Sequence, residues 1–136
     1  MITKINHIAI AVESLDEAIP YYRDVLGLEL IATEEVPDQK VRVAMFRVGE
    51  VRIELLEPAA PDSPVAKYLA KNGPGLHHLA FETDDIRAEL EHLDQHQIEL
   101  IDKQPKPGAH GTRIAFLHPR STGRVLTELC QVDKNQ

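Results

Sequence analysis

The sequence predicts an α+β protein built from two tandem copies of one strand-helix-strand-strand-strand unit. Three matched pairs of segments, separated by 71 or 74 residues, support this prediction. They are His7-Ile8-Ala9 with His78-Leu79-Ala80, Gly49 with Gly123, and Glu54-Leu55 with Glu128-Leu129. We therefore expect one curved mixed sheet from each copy, with the helices outside and the two sheets facing one cleft.

The first copy is expected to begin with a strand at Ile5–Val12, which is rich in residues that favour strands. Ser14 and Glu17 have the spacing of a capping box at the start of a helix. Pro20 should kink or tighten one turn of that helix, and Gly27 should end it. Three strands are predicted next, at 28–34, 41–48 and 51–57, with a hairpin turn at Gly49-Glu50.

A linker helix at about 63–72 is predicted from Ser63 as N-cap and Pro64 at the first helical position. Asn72-Gly73-Pro74-Gly75 then marks the clearest boundary in the chain. The second copy is predicted to contain a strand at 76–81, a helix that starts at Asp84-Asp85, and strands at 98–101, 112–117 and 125–131. We expect a single domain over 1–136, with one module at about 1–60 and the other at about 75–134.

Composition excludes several classes of protein. The formal net charge is -7 and the basic residues are scattered, so we expect no nucleic-acid partner. The single cysteine, Cys130, excludes an intrachain disulfide and a cysteine-rich zinc module. The longest uncharged apolar run, Ile8–Val12, is far shorter than the roughly 18 residues of a membrane span. Met1–Lys4 do not resemble the start of a secretory signal, and we expect a cytoplasmic protein.

One histidine and one glutamate recur at matched places in the two copies. His7 and His78 lie on the first strand of each copy, and Glu54 and Glu128 lie on the last. If the two sheets face each other, these four side chains converge. Two imidazoles and two carboxylates suit one divalent ion of Zn, Co, Ni, Mn or Fe.

Nearly the whole chain resembles the methylmalonyl-CoA epimerase family of the vicinal oxygen chelate superfamily. The His and Glu markers are typical of the superfamily. The Ser-Pro helix, the double histidine and the stretch from Gly108-Ala109-His110-Gly111 to Leu117-His118-Pro119 are much more specific to the epimerases. The resembling stretches are Asn6–Val12, Ile53–Pro58, Ser63–Leu69, Gly75–Ala80, Pro107–Gly111, Phe116–Pro119 and Val125–Leu129.

The resemblance implies paired βαβββ modules, a homodimer, and an acyl-CoA substrate, methylmalonyl-CoA, whose α-carbon is inverted. It also implies one divalent metal ion held by His7, Glu54, His78 and Glu128. The chain departs from some relatives at Val43, where they carry a glutamate base. We therefore hypothesise that Glu128 and Glu54 act as the two acid/base groups as well as ligands.

A CoA ester also requires contacts for its phosphates. Lys67, His110 and His118 are the substrate-binding candidates, because they lie on the linker helix or near a Gly- and Pro-rich loop that could close over substrate. Further basic candidates for the phosphates are Lys71, Lys103, Lys106 and Arg120.

Two other functions remain open at this point. A glyoxalase I type lactoylglutathione lyase shares the fold, the His-Glu-His-Glu set and an enolate-type intermediate. A metal-free binding protein of the same fold would need no converging ligands, so metal analysis separates it from both enzymes. An extradiol dioxygenase fits less well, because it uses two histidines and one carboxylate.

Overall fold

Strands make up most of the ordered secondary structure. The structure, a computed structural model, describes residues 1–133. The strands are β1 Ile2–Ala11, β2 Glu29–Val36, β3 Val41–Val48, β4 Val51–Pro58, β5 Gly75–Thr83, β6 Lys106–Pro107, β7 Arg113–Leu117 and β8 Thr127–Gln131. The α-helices are α1 Leu15–Pro20, α2 Pro64–Asn72 and α3 Ile86–Gln95. The α+β class is therefore confirmed.

The chain divides into two compact units. The N-terminal unit is His7–His77, and the C-terminal unit combines Met1–Asn6 with the chain from His78 onward. β1 therefore supplies residues to both units. No helix in residues 1–133 has the length and apolar character needed to cross a membrane.

The N-terminal unit contains strands in the order β2-β3-β4-β1. β1 runs parallel to β4, while β3 is antiparallel to both β2 and β4. One face of these strands packs against α1 in an apolar cluster whose centre is Phe46 and Leu55, both fully buried. Because side chains alternate along a strand, His7 and Glu54 lie on the opposite face. We call this opposite face the site face.

The helix that contains Pro20 widens rather than tightens. Ser14 caps α1 by accepting a hydrogen bond from the backbone N–H of Glu17, as the capping pattern predicts. After Pro20 the chain forms a π-helical turn at Tyr21–Val25, closed by the bond from the Leu26 N–H to the Tyr21 carbonyl. The expected tightening of this turn is therefore wrong. Proline cannot donate a backbone hydrogen bond, and the chain here continues into the wider π geometry.

The linker helix α2 begins as predicted. The buried Ser63 hydroxyl accepts a hydrogen bond from the Ala66 N–H at 2.9 Å, and Pro64 occupies the first turn. One residue earlier, Asp62 forms an ion pair with Lys40. The hydrogen bond that the Lys40 ammonium group donates in this ion pair lowers the pKa of the Asp62 carboxyl. The contacts hold the segment that enters α2 against the start of β3.

The C-terminal unit differs from the prediction in one strand. β5 is parallel to β8, β8 is antiparallel to β7, and α3 packs against them through Ile86 and Leu90. The predicted strand at 98–101 does not form and is reduced to one bridge between Leu100 and Leu117. The two-residue β6 pairs with β7 instead. Its neighbour Pro105 and its own Pro107 lack N–H donors, which limits how far pairing can extend.

Candidate metal and proton-transfer site

The first candidate pair lies on the site face of the N-terminal unit. His7 on β1 and Glu54 on β4 are 5% and 3% exposed, and the His7 Nδ1 atom is 3.3 Å from Glu54 Oε2. Ala9 is in register with Glu54 on the neighbouring strand and is fully buried. The parallel pairing of β1 with β4 therefore brings together a histidine and a glutamate that are distant in sequence.

The second candidate pair is a similar buried His–Glu contact in the C-terminal unit, made through the other nitrogen of the imidazole ring. His78 Nε2 is 3.2 Å from Glu128 Oε1, and both side chains are buried. Ala80 is in register with Glu128, as Ala9 is with Glu54. The edge of the Phe116 ring packs against the His78 ring, with centroids 5.2 Å apart and an angle of 85°. This aromatic contact fixes the orientation of the imidazole.

The donor atoms of each pair suit a divalent metal ion. Ligand bonds of about 2.1 Å place neighbouring donors roughly 3.0 Å apart in octahedral geometry and roughly 3.4 Å apart in tetrahedral geometry. The measured separations of 3.2 and 3.3 Å fall within this range. His7, His78 and Glu128 are buried, and each offers one ligand atom of a kind that holds metal ions. Nitrogen and oxygen donors in this combination favour Zn, Co, Ni, Mn or Fe.

Arg52 is a residue to which the sequence analysis assigns no role. Its Nε lies 3.5 Å from Glu54 Oε2, and its side chain is only 20% exposed. It is two residues before Glu54 on β4 and is in register with His7. The alternation of side chains along β4 was the available signal, because it places Arg52 and Glu54 on one face.

Val43 is the position that the resemblance aligns with a glutamate of some relatives. It is 2% exposed on β3. In the strand pairing it is opposite Glu34 on β2 and Leu56 on β4. A valine at this position supplies packing and cannot transfer a proton. In the N-terminal unit, Glu54 is a carboxylate that contacts His7.

The three substrate-binding candidates are more exposed than the histidine and glutamate pairs. Lys67 lies on the exposed side of α2, and His110 is exposed in the turn at Ala109–Gly111 with a φ of +62°. His118 accepts a hydrogen bond at Nδ1 from the Arg120 N–H, and its Nε2 lies 3.7 Å from Glu99. Two of the three therefore lie in the loops that flank β7.

Another basic candidate lies close to the second pair. Lys106 Nζ is 5.4 Å from the centroid of the Phe116 ring and 3.1 Å from Asp102 Oδ1. Because Phe116 also contacts His78, its ring lies between this predicted phosphate contact and a candidate ligand.

Known proteins resemble the chain over almost its whole length. Residues 6–116 match the Glyoxalase/Bleomycin resistance protein/Dioxygenase superfamily. The uncharacterized protein YqjC of Bacillus subtilis is 45% identical over 98% of this chain and 95% of its own length. The ethylmalonyl-CoA/methylmalonyl-CoA epimerase of Cereibacter sphaeroides is 40% identical over 97% of this chain and its own full length, 100%. A solved methylmalonyl-CoA epimerase in complex with methylmalonyl-CoA and NH4+ superposes with a TM-score of 0.95, at 39% identity, over 98% of this chain and 97% of that one.

Proposed function

Because the chain belongs to the methylmalonyl-CoA epimerase family of the glyoxalase/bleomycin resistance protein/dioxygenase superfamily, we propose that it is an isomerase that interconverts (R)- and (S)-methylmalonyl-CoA. The observation that carries this proposal is the pair of buried His–Glu contacts at matched places in the two units. Full-length relatives described as epimerases support the choice of substrate.

Inversion at the α-carbon requires two groups that transfer protons. A base removes the proton from one side of the carbon, and an acid returns a proton to the other side. Glu54 and Glu128 are the proposed pair, one from each unit. Each is buried beside an imidazole. These neighbours restrain the carboxylates, which would reduce the reorganisation that proton transfer requires.

We propose that His7, Glu54, His78 and Glu128 together hold one divalent ion of Co, Zn, Ni, Mn or Fe. Such an ion would supply positive charge where negative charge develops on the thioester oxygen, which lowers the barrier to proton removal.

The remaining parts of the proposal concern recognition and assembly. Lys67, His110 and His118 are proposed to contact the acyl-CoA. A homodimer and a cytoplasmic location stay predictions from the sequence. Light scattering on the purified protein tests the dimer directly.

The proposal is tested by proton NMR of methylmalonyl-CoA in deuterated water with metal-loaded protein. We expect the α-proton signal to disappear as deuterium enters from solvent. Glu128→Gln keeps an oxygen ligand but removes the base, and exchange should slow by roughly 10²- to 10⁴-fold. Glu91→Gln, an exposed change of the same charge on α3, is the matched control and should exchange at the wild-type rate.

Metal content is measured in the same samples. If Glu128→Gln keeps both the metal and full exchange, Glu128 is not a base. If the wild type carries metal but exchanges no α-proton, the epimerase assignment is wrong. A parallel assay with the glutathione hemithioacetal of methylglyoxal then tests the lyase alternative.

A further inference from the structure

Arg52 lies beside the proposed ligands and is largely enclosed. Its side chain is 20% exposed, against 54% for Arg42 and 59% for Arg47 on the neighbouring strand. Burying a guanidinium is unfavourable unless it meets negative charge. The fold therefore holds this cation at the site face, where it contacts Glu54, instead of leaving it in solvent.

Arg52 has the chemistry to bind an anion in addition to Glu54. The 3.5 Å contact to Glu54 involves Nε, which is one of the three nitrogens of the guanidinium. A guanidinium has five N–H donors in a planar fork and can contact two carboxylates at once.

We propose that Arg52 binds the free carboxylate of a 2-carboxyacyl thioester and so selects malonyl-type substrates over uncharged acyl-CoA esters. The proposal rests on the proposed function for the identity of the substrate. It adds a specificity-determining residue that is not itself one of the four candidate ligands. A CoA phosphate offers similar chemistry to a guanidinium, so the test must separate the two anionic groups.

The experiment compares two ligands that differ by one carboxylate. Isothermal titration calorimetry measures the dissociation constants of methylmalonyl-CoA and propionyl-CoA with the metal-free protein and with the metal-loaded protein. We expect the wild type to prefer methylmalonyl-CoA. Arg52→Gln should weaken binding of methylmalonyl-CoA by about 10- to 100-fold and leave propionyl-CoA unchanged.

Two further variants make the comparison specific. Arg42→Gln removes the same charge from the opposite face of the sheet, where Arg42 pairs with Glu57 at 2.8 Å, and should leave the preference unchanged. Arg52→Lys keeps the charge without the planar fork and should give an intermediate loss. It also provides a variant with the native charge if Arg52→Gln does not fold, as judged by circular dichroism.

Three results would overturn the assignment. One is an equal loss for both thioesters, which would indicate a phosphate contact or a structural role. The second is no loss for either ligand. The third is an unchanged KM for methylmalonyl-CoA in an Arg52→Gln enzyme that still epimerises. This third result would refute the role of Arg52 and leave the proposed function standing. If the wild type prefers the carboxylate ligand but does not epimerise it, the proposed function is wrong and the role of Arg52 stands.

Discussion

Replacing Gly108 by alanine is expected to destabilise the C-terminal unit through a steric clash. Gly108 precedes the turn at Ala109–Gly111, and its φ of -122° and ψ of -169° are accessible to any residue. An added Cβ would lie 2.5 Å from Ile114 Cγ2 and 2.9 Å from Thr112 Oγ1. Carbon atoms in contact are usually 3.5–4.0 Å apart, so the overlap is about 1 Å.

The neighbours of Gly108 cannot easily move away. Ile114 is 4% exposed on β7, and the Thr112 hydroxyl donates a hydrogen bond of 2.7 Å to the Ala109 carbonyl. Overpacking of this kind typically reduces the free energy of unfolding by about 2 kcal/mol. For a chain of this size, such a loss lowers Tm by roughly 8 °C. Urea denaturation followed by circular dichroism measures the change.

A double-mutant cycle separates the clash from other effects. Ile114→Ala removes the methyl groups that the new Cβ would meet, so Gly108→Ala should cost at least about 1 kcal/mol less in the Ile114→Ala background. Gly49→Ala is the control, because Gly49 has a φ of +63° and open space around its Cα. Its cost should add to that of Ile114→Ala. If Gly108→Ala and Ile114→Ala also add within about 0.5 kcal/mol, no clash with Ile114 exists.

Two further predictions concern the entry to α2. Ser63→Ala should lower the free energy of unfolding by about 1 kcal/mol, because the Ala66 N–H loses its capping oxygen. The shift of the urea midpoint measures this loss, and an unchanged midpoint would contradict the prediction. Asp62, whose pKa is lowered from 3.8 by Lys40, stabilises the fold above pH 3.8 and loses this contribution as the pH falls through the lowered pKa. The stability difference between the wild type and Asp62→Asn should therefore shrink in that acidic range, and a difference that grows there would refute the role of the ion pair.

Much of the fold could be predicted because the two copies carry the same local signals. β3 spans Val41–Val48 as predicted, and the Ser63 cap and Pro64 lie at the start of α2. The pairing of each histidine with its glutamate also follows from the repeat. Strand alternation fixes the face of each residue, and the parallel pairing of first and last strands in each unit brings them into contact.

The errors arise where local sequence signals compete with hydrogen bonding. Residues 98–101 have the apolar character of a strand, yet the chain pairs with β7 later, at Lys106–Pro107. The π-helical turn after Pro20 depends on the bond between Leu26 and Tyr21, which a residue pattern does not encode. Arg52 was missed for a different reason. Its importance depends on its contact with Glu54 and its low exposure, which only the folded structure shows.

The division of β1 between the two units has a consequence for the order in which the protein can form. The C-terminal unit depends on bonds that span most of the chain, including those from Asn6 to Glu82 and from Thr83 to Met1, with sequence separations of 76 and 82 residues. The N-terminal unit is one uninterrupted stretch and can form during translation before β5 is complete. The C-terminal unit, in contrast, combines the first residues of β1 with strands that are synthesised much later. Closing the long loop between them slows the formation of this unit. On the ribosome, the first six residues therefore stay without these partners until β5, which ends at Thr83, has been made.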